Sequence, residues 1–157
     1  MNCLADTQDT TYEFLGQFEL DEGQVYAVAG TLAKRTGNAA YVGLGVNRFP
    51  MKLGVANLFD SVLEDTAAEY AEYVSDPELF YLYYFARDCT GLEELTDENC
   101  LSITDEMIPI CAEPGNPACD DRVVFSERDY IVPGTQRGPD SLLKLSPVLI
   151  MLQGPAQ

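Results

Sequence analysis

The residues best suited to chemistry in this 157-residue chain are five cysteines, four of which lie close together. These four are Cys89, Cys100, Cys111 and Cys119, in a stretch that also holds several glycines and prolines. The C-x₂-C spacing of a metal site is absent, and there is no histidine to complete a mixed site. We therefore predict two disulfides that staple a loop-rich segment, with three pairings open. The alternative is four reduced cysteines in a cytosolic protein.

The fifth cysteine, Cys3, stands apart from the cluster. Residues 2–6 lack the basic and apolar regions of a cleavable signal peptide. If Met1 precedes a trimmed mature chain instead of being native, Cys3 is a candidate lipid-attachment site whose leader has been removed. Otherwise Cys3 is a free thiol.

The overall composition excludes several classes of function. The absence of histidine rules out a Ser-His-Asp triad, a Cys-His dyad and imidazole metal ligands. Nine basic residues against 26 acidic ones give a net charge of −17 and a pI near 4.1. Because binding to nucleic-acid phosphates relies on Lys and Arg, we expect no nucleic-acid partner. The length suits a single domain over residues 1–157.

The charge is divided unevenly along the chain. Residues 88–121 hold ten acids and no base, in the same place as the four clustered cysteines. Such dense like charges repel one another, and disulfides or bound cations would offset that repulsion. Calcium is the one cofactor considered, with Asp97, Glu98, Asp120 and Asp121 as candidate ligands. The EF-hand pattern is absent, so the alternative is diffuse screening by counterions.

Two further groups of residues are candidates for contact with a partner. Residues 25–56 carry four bases and no acid, and Lys34 and Arg35 would meet an acidic protein or the acidic segment of a neighbouring copy. Tyr81 and Tyr84 belong to an aromatic run that would offer amphipathic contact area. The alternatives are an ordinary soluble turn for the bases and core packing for most of the tyrosines.

The elements that must position these residues begin with strands. Alternation over residues 12–20 predicts a strand that bends at Gly16. Residues 24–33 and 39–46 are rich in β-branched, aromatic and small residues, and they flank a short basic turn. This pattern predicts a β-hairpin.

The middle of the chain predicts helix. Apolar residues recur at spacings of three and four over residues 57–74, with acids on the other face, as in an amphipathic helix. Asp76 and Pro77 predict the start of a second helix. Residues 79–86 fit a buried strand as well, because aromatic side chains favour pleated surfaces.

Short strands are predicted at 123–125 and 130–132, and one long or two short strands over 142–152, broken at Pro147. Together these elements predict an α+β fold. A mostly antiparallel sheet of N- and C-terminal strands packs on the helix 57–74 and a second helix, beside a disulfide-stapled acidic lobe over 88–121. No apolar run is long enough for a transmembrane helix.

Three classes of function remain. The first is a non-enzymatic, disulfide-stabilised structural module, secreted or on the cell envelope, that binds a protein or assembles with copies of itself. The second is a cytosolic acidic mimic of nucleic-acid phosphates that inhibits a DNA- or RNA-binding protein. The third, a hydrolase that uses carboxylates, is the least favoured, because with 26 acids some pair always lies close enough.

Overall fold

A computed structural model describes residues 9–49, 53–111, 121–135 and 138–153. Strands dominate this part of the chain, and only two short α-helices accompany them, α1 (Asp60–Leu63) and α2 (Glu93–Thr96). The strands are β1 (Thr10–Phe14), β2 (Phe18–Glu19), β3 (Gln24–Thr31), β4 (Tyr41–Arg48), β5 (Leu53–Phe59), β6 (Phe80–Ala86), β7 (Cys100–Ser102), β8 (Arg122–Tyr130) and β9 (Val148–Gln153).

The strands form two sheets. Sheet A has the order β1-β8-β4-β5, and β2 also pairs with β8. Sheet B has the order β7-β6-β3-β9. Every pairing is antiparallel except that of β6 with β7, which is parallel. The prediction of a mixed, mostly antiparallel fold is therefore confirmed.

The two sheets pack face to face around a shared hydrophobic core. Sheet A contributes Leu44 and Phe125, and sheet B contributes Val28 and Phe85, all fully buried. The rings of Phe85 and Phe125 meet across the interface with centroids 4.4 Å apart. Period-two alternation explains this core, because every second residue of these strands faces the opposite sheet.

The predicted hairpin is wrong in its pairing, although both strands form. β3 pairs with β6 and β9, whereas β4 pairs with β5 and β8, so the two strands lie in different sheets. The segment between them folds into turns in which the amides of Asn38 and Ala39 donate to the carbonyl of Ala33 at 2.9 and 3.0 Å. These turns carry the chain from one sheet to the other.

The predicted helix over 57–74 is also wrong. Residues 57–59 end strand β5, a single helical turn follows in α1, and a 3-10 turn covers Ala68–Tyr70. Asp65 has a φ of +66°, which a continuing α-helix does not permit. The hydroxyl of Thr66 accepts a hydrogen bond from the backbone amide of Leu82 at 3.1 Å, so this segment is tied to β6 instead of completing a helix.

The second predicted helix reduces to a 3-10 turn at Pro77–Leu79, after which residues 80–86 form β6. Tyr81, Tyr83 and Phe85 belong to the core between the sheets, whereas Tyr84 belongs to a smaller cluster on the outer face of sheet B. This two-sided burial accounts for the near-continuous apolar run. The strand predicted at 123–125 lies within β8, which continues to Tyr130, so only the first residue of the strand predicted at 130–132 is in a strand. The stretch 142–152 divides into a 3-10 turn and β9.

The acidic lobe contains one fully described disulfide, between Cys89 and Cys100. It closes the connection from β6 through α2 to β7 and packs on the outer face of sheet B. Cys111 is disulfide-bonded as well, while Cys119 and Cys3 lie outside the described residues. No helix in the described part of the chain is long and apolar enough to cross a membrane.

Candidate functional site

Strand β8 carries two acids on its core-facing side. Val123 and Phe125 face the hydrophobic core, and the same alternation turns Glu127 and Asp129 inward, each only 1% exposed. Acids in these positions need partners, because an isolated charge in an apolar interior is very costly. The inner face of β8 therefore passes from hydrophobic to ionic along its length.

The partner of these acids is Lys144, which approaches from the segment before β9. Its ammonium contacts Glu127 Oε1 at 2.8 Å, Glu13 Oε1 at 2.5 Å and Asp129 Oδ2. Glu13 lies on β1 directly opposite Glu127 in the strand register. The side chain of Lys144 is 2% exposed. We refer to Glu13, Glu127, Asp129 and Lys144 together as the ionic cluster.

Sheet B also contributes side chains that contact the ionic cluster and the backbone beside it. The hydroxyl of Tyr81, on β6, donates to Glu127 Oε2 at 2.5 Å. Thr31, on β3, holds the backbone beside Lys144, since its Oγ1 accepts from the amide of Leu145 at 3.0 Å. Residues from both sheets thus position Lys144 and Glu127 between them.

Burial dominates the electrostatics of the ionic cluster. Desolvation, followed by the charge of Asp129, raises the pKa of Glu127 to about 7. Desolvation also raises the pKa of Asp129. For Lys144, burial favours the neutral amine, but the charges and hydrogen bonds of Glu127, Asp129 and Glu13 outweigh it and raise its pKa. Lys144 therefore stays an ammonium near neutral pH, while Glu127 and Asp129 retain a proton to higher pH than exposed acids do.

The three carboxylates also have the geometry of a metal site, with ligand oxygens within 4.8 Å of one another. Hard cations such as Ca²⁺ prefer such oxygen ligands. Lys144, however, contacts all three acids, so its ammonium supplies the positive charge that a metal ion would bring. The arrangement fits an internal ion pair better than a calcium site.

The candidate calcium ligands from the sequence do not come together in the described part of the chain. Asp97 and Glu98 follow α2 with φ values of +46° and +66°, and both side chains are exposed. A carboxylate oxygen of Asp121 accepts a hydrogen bond from the amide of Cys111 at 3.4 Å. Asp120 lies outside the described residues. The calcium hypothesis thus gains no support from these positions.

The basic pair is engaged within the chain itself. Lys34 contacts Asp60 at 2.6 Å, and Arg35 contacts Glu64 at 3.0 Å. Both basic side chains are still more than 40% exposed. The base-rich segment therefore first neutralises the acidic segment that follows β5, and an acidic partner would compete with these internal ion pairs.

The two tyrosines predicted to contact a partner are buried, which is a correction. Tyr81 is 1% exposed and Tyr84 is 3% exposed. Tyr81 reaches Glu127, and the hydroxyl of Tyr84 lies 2.9 Å from that of Tyr70. Strand alternation buries both faces of β6, because the core covers one face and the disulfide-linked segment covers the other.

An open cleft of about 1080 Å³ lies beside the acidic lobe. Its lining includes the acids Glu22, Asp88 and Asp105 together with Arg87. The guanidinium of Arg87 is committed to the backbone, since it donates to the carbonyl oxygens of Leu20, Ile103 and Ile108. The lining residues include no cysteine or histidine that could act as a nucleophile or as its base.

The ionic cluster was not among the sites predicted from the sequence. Two patterns could have indicated it. Val123, Phe125, Glu127 and Asp129 share one parity of a single long strand, and Lys144 is the only charge in the apolar stretch 141–153. Acids on the buried side of a strand and a lone lysine in an apolar run each require a partner.

Comparison of the chain with protein-family models, with curated proteins and with solved structures finds no match.

Proposed function

We propose that this protein is a non-enzymatic structural module that works outside the cytoplasm and pairs with a second copy of itself through strand β9. The observation that carries the proposal is an exposed apolar edge at the end of sheet B. Its side chains are between 44% and 89% exposed, and we call them the apolar edge: Leu142, Leu143, Leu145, Val148, Ile150 and Met151.

Strand β9 has an unpaired side among the described strands, since β3 is its one neighbour there. Proteins usually protect such an edge with charges or proline. β9 contains neither, and the one charge nearby, Lys144, points into the ionic cluster. An unprotected apolar edge is typical of a surface that accepts another strand.

A second copy of the chain fits this edge because antiparallel pairing of two β9 strands is self-complementary about a two-fold axis. The contact would place apolar residues against apolar residues and no acid against an acid. The net charge of −17 resides elsewhere and opposes association at long range. We therefore expect association to strengthen as salt screens this repulsion.

Two further features support the proposal. The disulfide Cys89–Cys100 and the disulfide-bonded Cys111 favour an oxidising compartment, which agrees with a secreted or envelope protein. Glu127 and Asp129, the two acids whose pKa values burial raises, are each only 1% exposed, which removes them from contact with a substrate in solution. A buried ionic network of this kind supports a structural role.

The test is sedimentation of the full oxidised chain over a concentration series, at low and high salt. We expect a reversible dimer that Ile150→Lys abolishes, because the new charge lies on the apolar edge. Leu53→Lys is the matched control, since Leu53 is 57% exposed, against 44% for Ile150, and lies on β5 at the edge of sheet A. A monomer at all concentrations, or loss of the dimer through Leu53→Lys alone, would overturn the proposal. A dimer insensitive to both variants would overturn the choice of edge.

A thiol titration separates this proposal from the cytosolic inhibitor. In denatured but unreduced protein purified from its native source, we expect Cys89, Cys100, Cys111 and Cys119 to give no free thiol. Four reactive thiols would place the protein in a reducing compartment and favour the acidic mimic, for which no disulfide is needed.

A further inference from the structure

We propose that Lys144 and Asp129 join in an intramolecular amide bond, formed with the loss of water and with Glu127 as the residue that carries the protons. The inference concerns a modification inside the core. It is independent of pairing at β9 and would stand if the chain were a monomer.

The reacting groups are already in contact and shielded from water. The nitrogen of Lys144 touches Asp129 Oδ2, and both side chains are at least 98% buried. Holding two groups in contact in this way removes much of the entropic barrier to their reaction. A dry site also strengthens electrostatic interactions and keeps bulk water away from intermediates.

The hydrogen bonds indicate which carboxyl group accepts the amine. Both oxygens of Glu127 are engaged, Oε1 by Lys144 and Oε2 by Tyr81. Asp129 Oδ1 is buried without any hydrogen-bond partner among the described residues. Glu13 is 24% exposed at its side chain, so solvent reaches it. Asp129 is thus the acceptor that is both buried and least restrained.

The protons balance within the ionic cluster. The ammonium of Lys144 passes one proton to the carboxylate of Asp129, which leaves an amine beside a carboxylic acid. The amine then attacks Cγ of Asp129 and forms the C–N bond. Glu127 gives its proton to the departing hydroxyl and takes one from the nitrogen, so it ends protonated as it began. The products are the amide and one water molecule, and no oxidant or other reactant is needed.

The proton affinities of the two acids suit these roles, whereas the raised pKa of Lys144 opposes the first proton transfer. The raised pKa of Glu127 keeps a proton available near neutral pH, as a general acid requires. The raised pKa of Asp129 favours the neutral acid, which the amine attacks more readily than a carboxylate. The titratable groups that face Lys144 are Glu13 from β1 and Glu127 and Asp129 from β8, and Tyr81 from β6 contacts Glu127.

The bond would link the two sheets covalently. Asp129 lies on β8 in sheet A, and Lys144 lies four residues before β9 in sheet B. The linkage would therefore oppose separation of the sheets in a molecule exposed to proteases or tension.

The test is the intact mass of the full chain after reduction and denaturation. We expect wild-type protein that has been folded and held at neutral pH to be lighter, by the mass of one water molecule, than the mass calculated from its sequence with all cysteines reduced. Lys144→Arg keeps the positive charge without a nucleophilic amine and should show the full mass. Wild type at full mass, or a loss of water that persists in Lys144→Arg, would overturn the proposal.

Two variants of the acids test the mechanism. Asp129→Asn offers a carboxamide at the same place, so it should lose ammonia instead of water and reach the same final mass as wild type. Glu127→Gln keeps the shape of the side chain but removes the proton carrier, and we expect the full mass in a folded variant. Normal cross-linking in Glu127→Gln would remove Glu127 from the mechanism.

Tryptic peptides identify the acceptor. The proposed bond predicts a branched peptide that joins residues 129–137 to residues 138–157, with no cleavage after Lys144. A branch to residues 123–128 would make Glu127 the acceptor and overturn the assignment to Asp129.

Discussion

Tyr81 lies across Gly30, its direct partner on the neighbouring strand of sheet B. A Cβ atom at position 30 would stand 2.5 Å from the hydroxyl oxygen of Tyr81 and 2.7 Å from its ring. Gly30 thus provides the space through which Tyr81 reaches Glu127 in the opposite sheet. The absence of a side chain at position 30 is therefore a requirement of the contact between Tyr81 and Glu127.

Gly30→Ala should therefore destabilise the protein. The new methyl group would displace the buried ring of Tyr81, and overpacking of this kind costs about 1–3 kcal/mol in the free energy of unfolding. Urea unfolding measures this cost. Gly54→Ala on β5 is the control, because its Cβ would meet only an ordinary contact with Asn47 at 3.7 Å. Equal effects of the two variants would mean that Tyr81 adjusts without cost.

Stability should fall as the pH rises from about 4.5 to about 7. Glu127 has an ordinary pKa of 4.5 when unfolded and about 7 in the folded protein, so across this range the folded state binds the extra proton. Proton binding then favours folding below pH 4.5 and ceases to do so above pH 7, a change of about 3 kcal/mol. The direction is the same after condensation of Lys144 with Asp129, since Glu127 remains buried in either form.

Urea unfolding at a series of pH values tests this dependence. Glu127→Gln should flatten it, because the amide does not titrate. Both proteins are compared in the Lys144→Arg background, which cannot form the amide bond, so that subtraction of the variant removes the contribution of the other acids. The raised pKa of Asp129 acts in the same direction as that of Glu127 and would leave a smaller slope in the variant. Stability that increases with pH across this window in the protein that retains Glu127, relative to the variant, would contradict the burial of Glu127.

Removal of the disulfide Cys89–Cys100 should lower thermal stability. The bridge spans 11 residues, and a loop of that size contributes about 2–3 kcal/mol by restricting the unfolded chain. We expect the double variant Cys89→Ser, Cys100→Ser to melt roughly 4–12 °C lower than the oxidised wild type. Reductant added to this variant isolates the contribution of the remaining bridge at Cys111. An unchanged melting temperature would show that the loop is held by other contacts.

The sequence predicted local features well and long-range pairing poorly. Enrichment in β-branched, aromatic and small residues located β3 and β4 correctly, because these residue types suit a buried pleated strand whatever its partners. Their partners could not be read from the same pattern, since the choice between a hairpin and a crossing to another sheet depends on distant strands β6 and β8. The helix prediction over 57–74 failed for a related reason. Spacings of three and four also arise when a strand ends in successive turns, as happens around Asp65.

The ionic cluster also depends on long-range contacts that the local sequence does not reveal. Glu13 and Lys144 are separated by most of the chain and meet only because β1 and the segment before β9 converge on β8. The disulfide prediction succeeded for Cys89 and Cys100 because it depended on composition and on the density of acids, both of which are local. Lys144 lies within the apolar stretch 142–152, and its acidic partners on β1 and β8 cannot be identified from that stretch alone.

The parallel pairing of β7 with β6 determines how long an edge sheet B presents at the end opposite β9. β7 has only three residues, and the disulfide at Cys100 fastens its first residue beside β6. If this bond were cut, the short strand could separate from the sheet and expose the backbone of β6, the most aromatic of the described strands. Sheet B ends in β7 on one side and β9 on the other, and exposure of β6 would replace the three-residue edge with a seven-residue one. If copies pair through β9 as proposed, reduction would then convert closed pairs into open-ended stacks.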